Sequence, residues 1–160
     1  VNYREERGGT EVVSPLDLFE LSFALFLISN EVNYCLSKHA VRLGLSLLEL
    51  QLLWTIVRFG ETTMIDIARL IARPKQEFAS ALESLEADGL VAKTYHEETN
   101  KCVITATPQG KALIDRMTPC AKAACGFRNL DGETIKGFIE QAYKMVSAFR
   151  GAEFVDRAKY

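Results

Sequence analysis

Two sets of side chains in this chain of 160 residues are of types, and at spacings, that could do chemistry. The first is a set of cations and hydrogen-bonding groups: Arg69, Arg73, Lys75, Gln76, Ser80, Lys93 and Lys101. Guanidinium and ammonium groups grip phosphate oxygens, and an amide or hydroxyl can read the edge of a base. Gln76 and Ser80 stand four apart, so on a helix they share a face. The second set lies earlier. Cys35 precedes His39 by four positions, which on a helix brings an imidazole near a thiol and lowers its pKa, the chemistry of a redox or electrophile switch. His39, Trp54 and Arg58 are also candidates for lining a small-molecule site, although a tryptophan is first of all expected to anchor the core.

Other chemistries find no footing. The four cysteines, Cys35, Cys102, Cys120 and Cys125, include no CxxC pair, and only two histidines, His39 and His96, could help them hold a metal. Most of these thiols are expected as small core residues. There is no nucleophile elbow, phosphate loop or ligand cluster, and the carboxylates are spread along helix faces that read as solvated, so neither an enzyme nor a cofactor is expected. The formal charge of −2 is not the basic footprint of a nucleic-acid binder, but a local patch, not the total, is what meets phosphates. No run reaches the roughly 18 to 20 apolar residues that span a bilayer. Phe19 to Ile28 is apolar, but it has charged neighbours and neither a basic leader nor a cleavage site. A cytoplasmic protein without a membrane partner is the expectation.

The first set must be positioned by the stretch from Thr63 to Thr107. Ile67, Leu70 and Ile71 mark one face of a helix over 63–72, which Arg73-Pro74 ends, with Arg73 turning the chain. A second helix begins at Pro74 or Lys75, buries Phe78, Ala81, Leu82 and Leu85, and closes at Asp88-Gly89. Leu90 to Tyr95 and Cys102 to Thr107 are rich in β-branched residues and flank a polar run, which predicts a hairpin. Helix, turn, helix and hairpin in that order describe a winged helix-turn-helix, whose second helix lies in the major groove of DNA.

Helices should surround this head. Val1 to Val13 is polar and reads as a mobile arm. Ser14-Pro15 opens a helix running to about Leu43, with a stripe through Leu21, Leu25, Ile28, Val32, Cys35, Leu36 and His39, and with Phe19, Phe23 and Phe26 beyond it. So much apolar surface suggests burial against a second subunit. Gly44 closes that helix, and Ser46 with Glu49 forms a capping box for the next, which carries Leu50, Leu53, Trp54 and Val57 to Gly60. Past the wing, Thr107-Pro108-Gln109-Gly110 caps a helix bearing Ala112, Leu113, Met117, Ala121 and Ala124. Asp131 then caps a last helix striped by Ile135, Phe138, Ile139, Ala142, Val146 and Phe149. The reading is one compact, mainly α fold with a small β-hairpin wing. It has an arm at 1–13, a winged helix-turn-helix at 44–107, and a helical dimerisation region at 14–43 and 108–160.

In order and spacing these parts resemble the MarR family of bacterial transcription regulators, over roughly Leu16 to Phe149. The residues that carry the resemblance are Leu43-Gly44-Leu45-Ser46 before Leu50-Gln51-Leu52-Leu53, then Ile67-Ala68, Leu85-Glu86-Ala87-Asp88-Gly89-Leu90-Val91, Thr107-Pro108-Gln109-Gly110, and Asn129-Leu130-Asp131 before the last helix. The resemblance implies a homodimer whose paired recognition helices read a palindromic operator in double-stranded DNA. It also implies a repressor that releases its operator on binding an effector or on thiol modification.

The departures are chemical. Where the family places Ser/Thr and Arg along the recognition helix, this chain has Gln76, Glu77, Ala79, Ser80 and Ser84. Where the wing tip usually carries Asp and Arg, it has Glu97, Glu98, Thr99, Asn100 and Lys101. Arg69, Arg73, Lys75, Lys93, Lys101 and Lys111 remain as phosphate contacts, with Gln76 and Ser80 as base readers. The peroxide-sensing branch has a cysteine where this chain has Ser22 within Leu21-Ser22-Phe23-Ala24-Leu25-Phe26, so hydroperoxide sensing is not carried over. The acidic reading face leaves an alternative open, a winged-helix module that binds a protein and not DNA.

Overall fold

The computed structural model describes residues 14–124 and 129–150, and in 118–124 the backbone alone. The expected arm at 1–13 and the thiols of Cys120 and Cys125 lie outside the described residues. The elements run α1 (Pro15–Arg42), α2 (Leu47–Phe59), α3 (Met64–Ile71), α4 (Lys75–Ala87), β1 (Val91–His96), β2 (Lys101–Ala106), α5 (Pro108–Ala124) and α6 (Gly132–Arg150).

Local chemistry sets the boundaries. Three helices start on reciprocal capping boxes, Ser14 with Asp17, Ser46 with Glu49, and Thr63 with Asp66. Gly44, Gly60 and Gly89 take positive φ at or just beyond helix ends, where a side chain would be strained. Thr107 opens α5 by accepting the N–H of Gly110 at 3.1 Å. Gly110 itself lies against the backbone of Leu90, whose carbonyl a β-carbon at that position would strike.

The core is the meeting point of α2, α3, α4, the hairpin and the first part of α5. Leu52, Leu53, Ile56, Ile67, Phe78, Leu85 and Ile104 are fully buried there, joined by Leu113, Ile114 and Met117. Two predicted faces are corrected. Trp54 is 44 % exposed and not a core residue. The run from Leu47 to Val57 is apolar nearly all round, and the tertiary contacts select the arc of Leu50, Leu52, Leu53 and Ile56, leaving Trp54 on the outer edge. On α5, Ala112 is exposed and Ile114 takes its expected place inside.

The hairpin pairs Val91 with Ala106 through His96 with Lys101. Both strands are displaced by one residue from the predicted spans, so His96 and Lys101 belong to the ladder and Glu97 to Asn100 form the turn. Asn100 has a φ of 52° and accepts a hydrogen bond from the Tyr95 hydroxyl. A bridge that the sequence did not suggest ties the hairpin to the body. Thr62 and Ile104 exchange backbone hydrogen bonds of 3.0 and 2.6 Å.

α1 and α6 differ from the rest. Of α1 only His39 and Ala40 are buried, at its C-terminal end, and no residue of α6 is buried. The expected stripes are present, and much of each stays exposed: Leu21 and Ile28 on α1, and Phe138, Ile139 and Phe149 on α6, whereas the C-terminal part of the α1 stripe, Leu36 and His39, turns inward. No single described helix is long and apolar enough to cross a membrane. α1 and α2 pass that test only as a pair, but they meet at 92° and α2 is a core helix.

Candidate nucleic-acid interface

The candidate reading head is built on α3 and α4. α3 ends at Ala72, whose left-handed φ of 54° makes the turn that sequence reasoning placed on Arg73. Pro74 then caps α4 without a side-chain hydrogen bond. α4 is two-sided. Phe78, Leu82 and Leu85 are buried, while Lys75, Gln76, Glu77, Ser80 and Glu83 are exposed on the other side. The apolar side fixes the rotation of the helix and so presents Gln76 and Ser80 together, one turn apart. α4 is also held against α2. Burial alone would raise the Glu49 carboxyl, but the Ser46 backbone N–H and the hydroxyls of Ser84 and Ser46 outweigh it and keep that group below its ordinary range.

The cations divide into two groups. Arg73 pairs with Glu77 at 3.3 Å, one turn along, with both side chains about half exposed. Lys93 pairs with Glu86 at 2.5 Å, fastening β1 to α4. Each pair neutralises a cation expected at phosphate, and equally an acid that would repel it. Arg69, Lys75 and Lys101 are exposed and make no ion pair among the described residues. They lie at the end of α3, the start of α4 and the wing, so three separate elements contribute positive charge to the head. Glu97 and Glu98 are exposed in the turn beside Lys101.

The remaining candidates are not gathered into one site. His39 is buried with its Nε2 unpartnered, whereas Trp54 and Arg58 stand one turn apart on the exposed side of α2. Cys35 is half-buried on α1, one turn before His39, and Cys102 is exposed on β2, not in the core. Sequence reasoning missed Arg150, which reaches from α6 to the carbonyls that end α3. Its signal was only a basic residue in a last helical turn. Among the described residues no three His, Cys, Asp or Glu side chains are grouped to hold a metal.

This arrangement is a winged helix-turn-helix with helices added before and after it. Residues 40–108 match a family model described as the sugar-specific transcriptional regulator TrmB. No curated protein matches the chain. Among solved structures, a MarR family transcriptional regulator from Silicibacter pomeroyi is 23 % identical, with 81 % of this chain and 90 % of that one covered and a TM-score of 0.70. A MarR family protein of Mycobacterium tuberculosis in complex with p-aminosalicylic acid is 23 % identical, covering 79 % and 98 %, with a TM-score of 0.64. Bordetella bronchiseptica BpsR, whose DNA binding is regulated by 6-hydroxynicotinic acid, is 19 % identical, covering 79 % and 98 %, with a TM-score of 0.65. The chain thus has the fold of the MarR-family transcriptional regulators.

Proposed function

We propose that this protein is a homodimeric DNA-binding transcriptional regulator of the MarR type, a repressor that leaves its operator when an effector binds. The observation that carries the reading is the two-sidedness of α4. Its apolar side is locked into the core, and its exposed side offers Gln76 and Ser80 with Lys75 at the N-terminus. Gln76 and Ser80 read bases, and Arg69, Lys75 and Lys101 hold phosphates. Arg73 and Lys93 join them only by leaving Glu77 and Glu86. Residues 44–107 are the reading head. Residues 14–43 and 108–160 form the dimerisation region, where the outward stripes of α1 and α6 meet a second copy. The two α4 helices then sit about one DNA turn, ~34 Å, apart on a palindromic operator.

Release is mechanical. A small molecule bound where α1 meets α2 changes the separation of the two heads, so both half-sites can no longer be engaged together. The regulation of BpsR by 6-hydroxynicotinic acid and the complex of the Mycobacterium tuberculosis protein with p-aminosalicylic acid support this route, with Trp54 and Arg58 on the exposed side of α2 as contacts and His39 buried apart from them. The thiol route rests on Cys35, and alkylation of Cys35 no faster than a free thiol at neutral pH would remove it.

A salt titration on the promoter of the protein's own gene tests the function. With Arg69, Lys75 and Lys101 of each head at phosphates, a dimer neutralises about six of them, and log K should fall against log salt with a slope of about −5. No binding at low salt would overturn the proposal in favour of a protein-binding module whose reading face carries Glu77, Glu97 and Glu98.

A further inference from the structure

α3 ends in a way its own backbone cannot complete. In a continuing helix the carbonyl of Leu70 would accept the N–H of residue 74, but that residue is Pro74 and has no N–H. The carbonyl of Arg69 would accept the N–H of Arg73, but that group turns back to Ala68 at 3.2 Å, as does the N–H of Ala72. Two acceptors are therefore left over at the point where the chain swings from α3 into α4. Both are met by one side chain from 80 residues away. Arg150 Nη1 donates to the carbonyl of Leu70 at 3.0 Å and to that of Arg69 at 2.7 Å. A cation at this place also suits the negative end of α3.

We propose that Arg150 is a positioning residue that sets the start of the recognition helix and couples it to α6. The proposal rests on the DNA-binding reading for its consequence, not for its geometry. α6 has no buried residue within its own chain, so its place depends on what covers it, whereas α4 is fixed to the core everywhere except at its uncapped first turn. Arg150 bridges the two. A shift of α6 that withdraws the guanidinium leaves two carbonyls unmatched and loosens Ala72 to Pro74, which carry Lys75 and Gln76. The dimer layer thereby acts on the reading residues themselves, in addition to changing the distance between heads.

The test uses the full-length protein with Arg150→Gln and Arg150→Lys. Hydrogen exchange at the amides of Ala72, Arg73 and Glu77 is measured without DNA, and the salt dependence of promoter binding is measured in parallel. Arg150→Gln should speed exchange at those amides several-fold while α2 is unchanged. It should weaken promoter binding about five- to tenfold with the salt slope intact, because the residue touches no phosphate. Arg150→Lys, which keeps donors and charge, should fall between the two. Unchanged exchange in Arg150→Gln overturns the proposal, and a shallower slope with unchanged exchange makes Arg150 a phosphate contact instead. If the unaltered protein binds no DNA, the functional reading fails, and the exchange rates still decide whether Arg150 holds the turn.

Discussion

At the scale of single residues, the reading face is a balance of opposite charges and not a basic patch. Glu77 pairs with Arg73 and lies beside the proposed readers of α4, so in the proposed complex its carboxylate would weaken the face twice, by holding a guanidinium and by repelling phosphate. Glu77→Gln should therefore tighten promoter binding and steepen the salt slope by about 1 per subunit as Arg73 becomes available, which fluorescence anisotropy across a salt series reads directly. The opposite kind of constraint acts at Gly110. Leu90 presents its carbonyl there, already accepting from Thr107, and leaves no room for a β-carbon. Gly110→Ala should cost about 1 to 3 kcal/mol, measured as a lower urea midpoint with an unchanged slope.

At the scale of elements, α2 is the helix on which the head is assembled, and its N-terminus is where stability meets pH. The Glu49 carboxyl is held below its ordinary range, so the stabilisation is complete above the unfolded value of about 4.3 and is lost as the pH falls through the lower folded value. Ser46→Ala removes both the cap on the Glu49 N–H and one of the groups that depress its pKa. It should cost about 1 kcal/mol at neutral pH and flatten the dependence of stability on pH below about 4.3, seen by thermal melts from pH 3 to 7. The hairpin is braced at one rung, where Lys93 faces Ile104, by contacts of different kinds, a backbone bridge from Thr62 to Ile104 and the ion pair of Lys93 with Glu86.

At the scale of the whole molecule, the feature that needs a partner is the apolar surface of α1 and α6. Phe19, Phe23, Phe26, Phe138, Ile139 and Phe149 are all exposed in a single chain, Phe149 to 83 %, far more than scattered surface hydrophobics account for. The proposed dimerisation through these faces should make the melting temperature rise with protein concentration. Phe138→Glu should yield a monomer by sedimentation and weaken promoter binding at least tenfold, while the head keeps its hairpin and α4. A dimeric Phe138→Glu protein would place the interface elsewhere.

Much of this was legible in the chain itself because it depends on neighbours a few residues apart. The caps at Ser14 and Ser46, the closing Gly44 and Gly89, the apolar side of α4 and the hairpin all follow from local geometry, and they suffice to define a winged helix-turn-helix. What only the tertiary structure decided involves choices local rules leave degenerate or contacts far apart along the chain. The apolar run of α2 has helical spacing on several faces, and packing alone turned Trp54 outward. Proline and a basic residue announced that α3 would end, but the αL turn fell to Ala72, and the carbonyls it left were met by Arg150. The cations were visible as types, yet their pairing with Glu77 and Glu86 was not. A side chain's partner is set by the fold that brings it near, and spacing along the chain fixes that only for residues on the same turn.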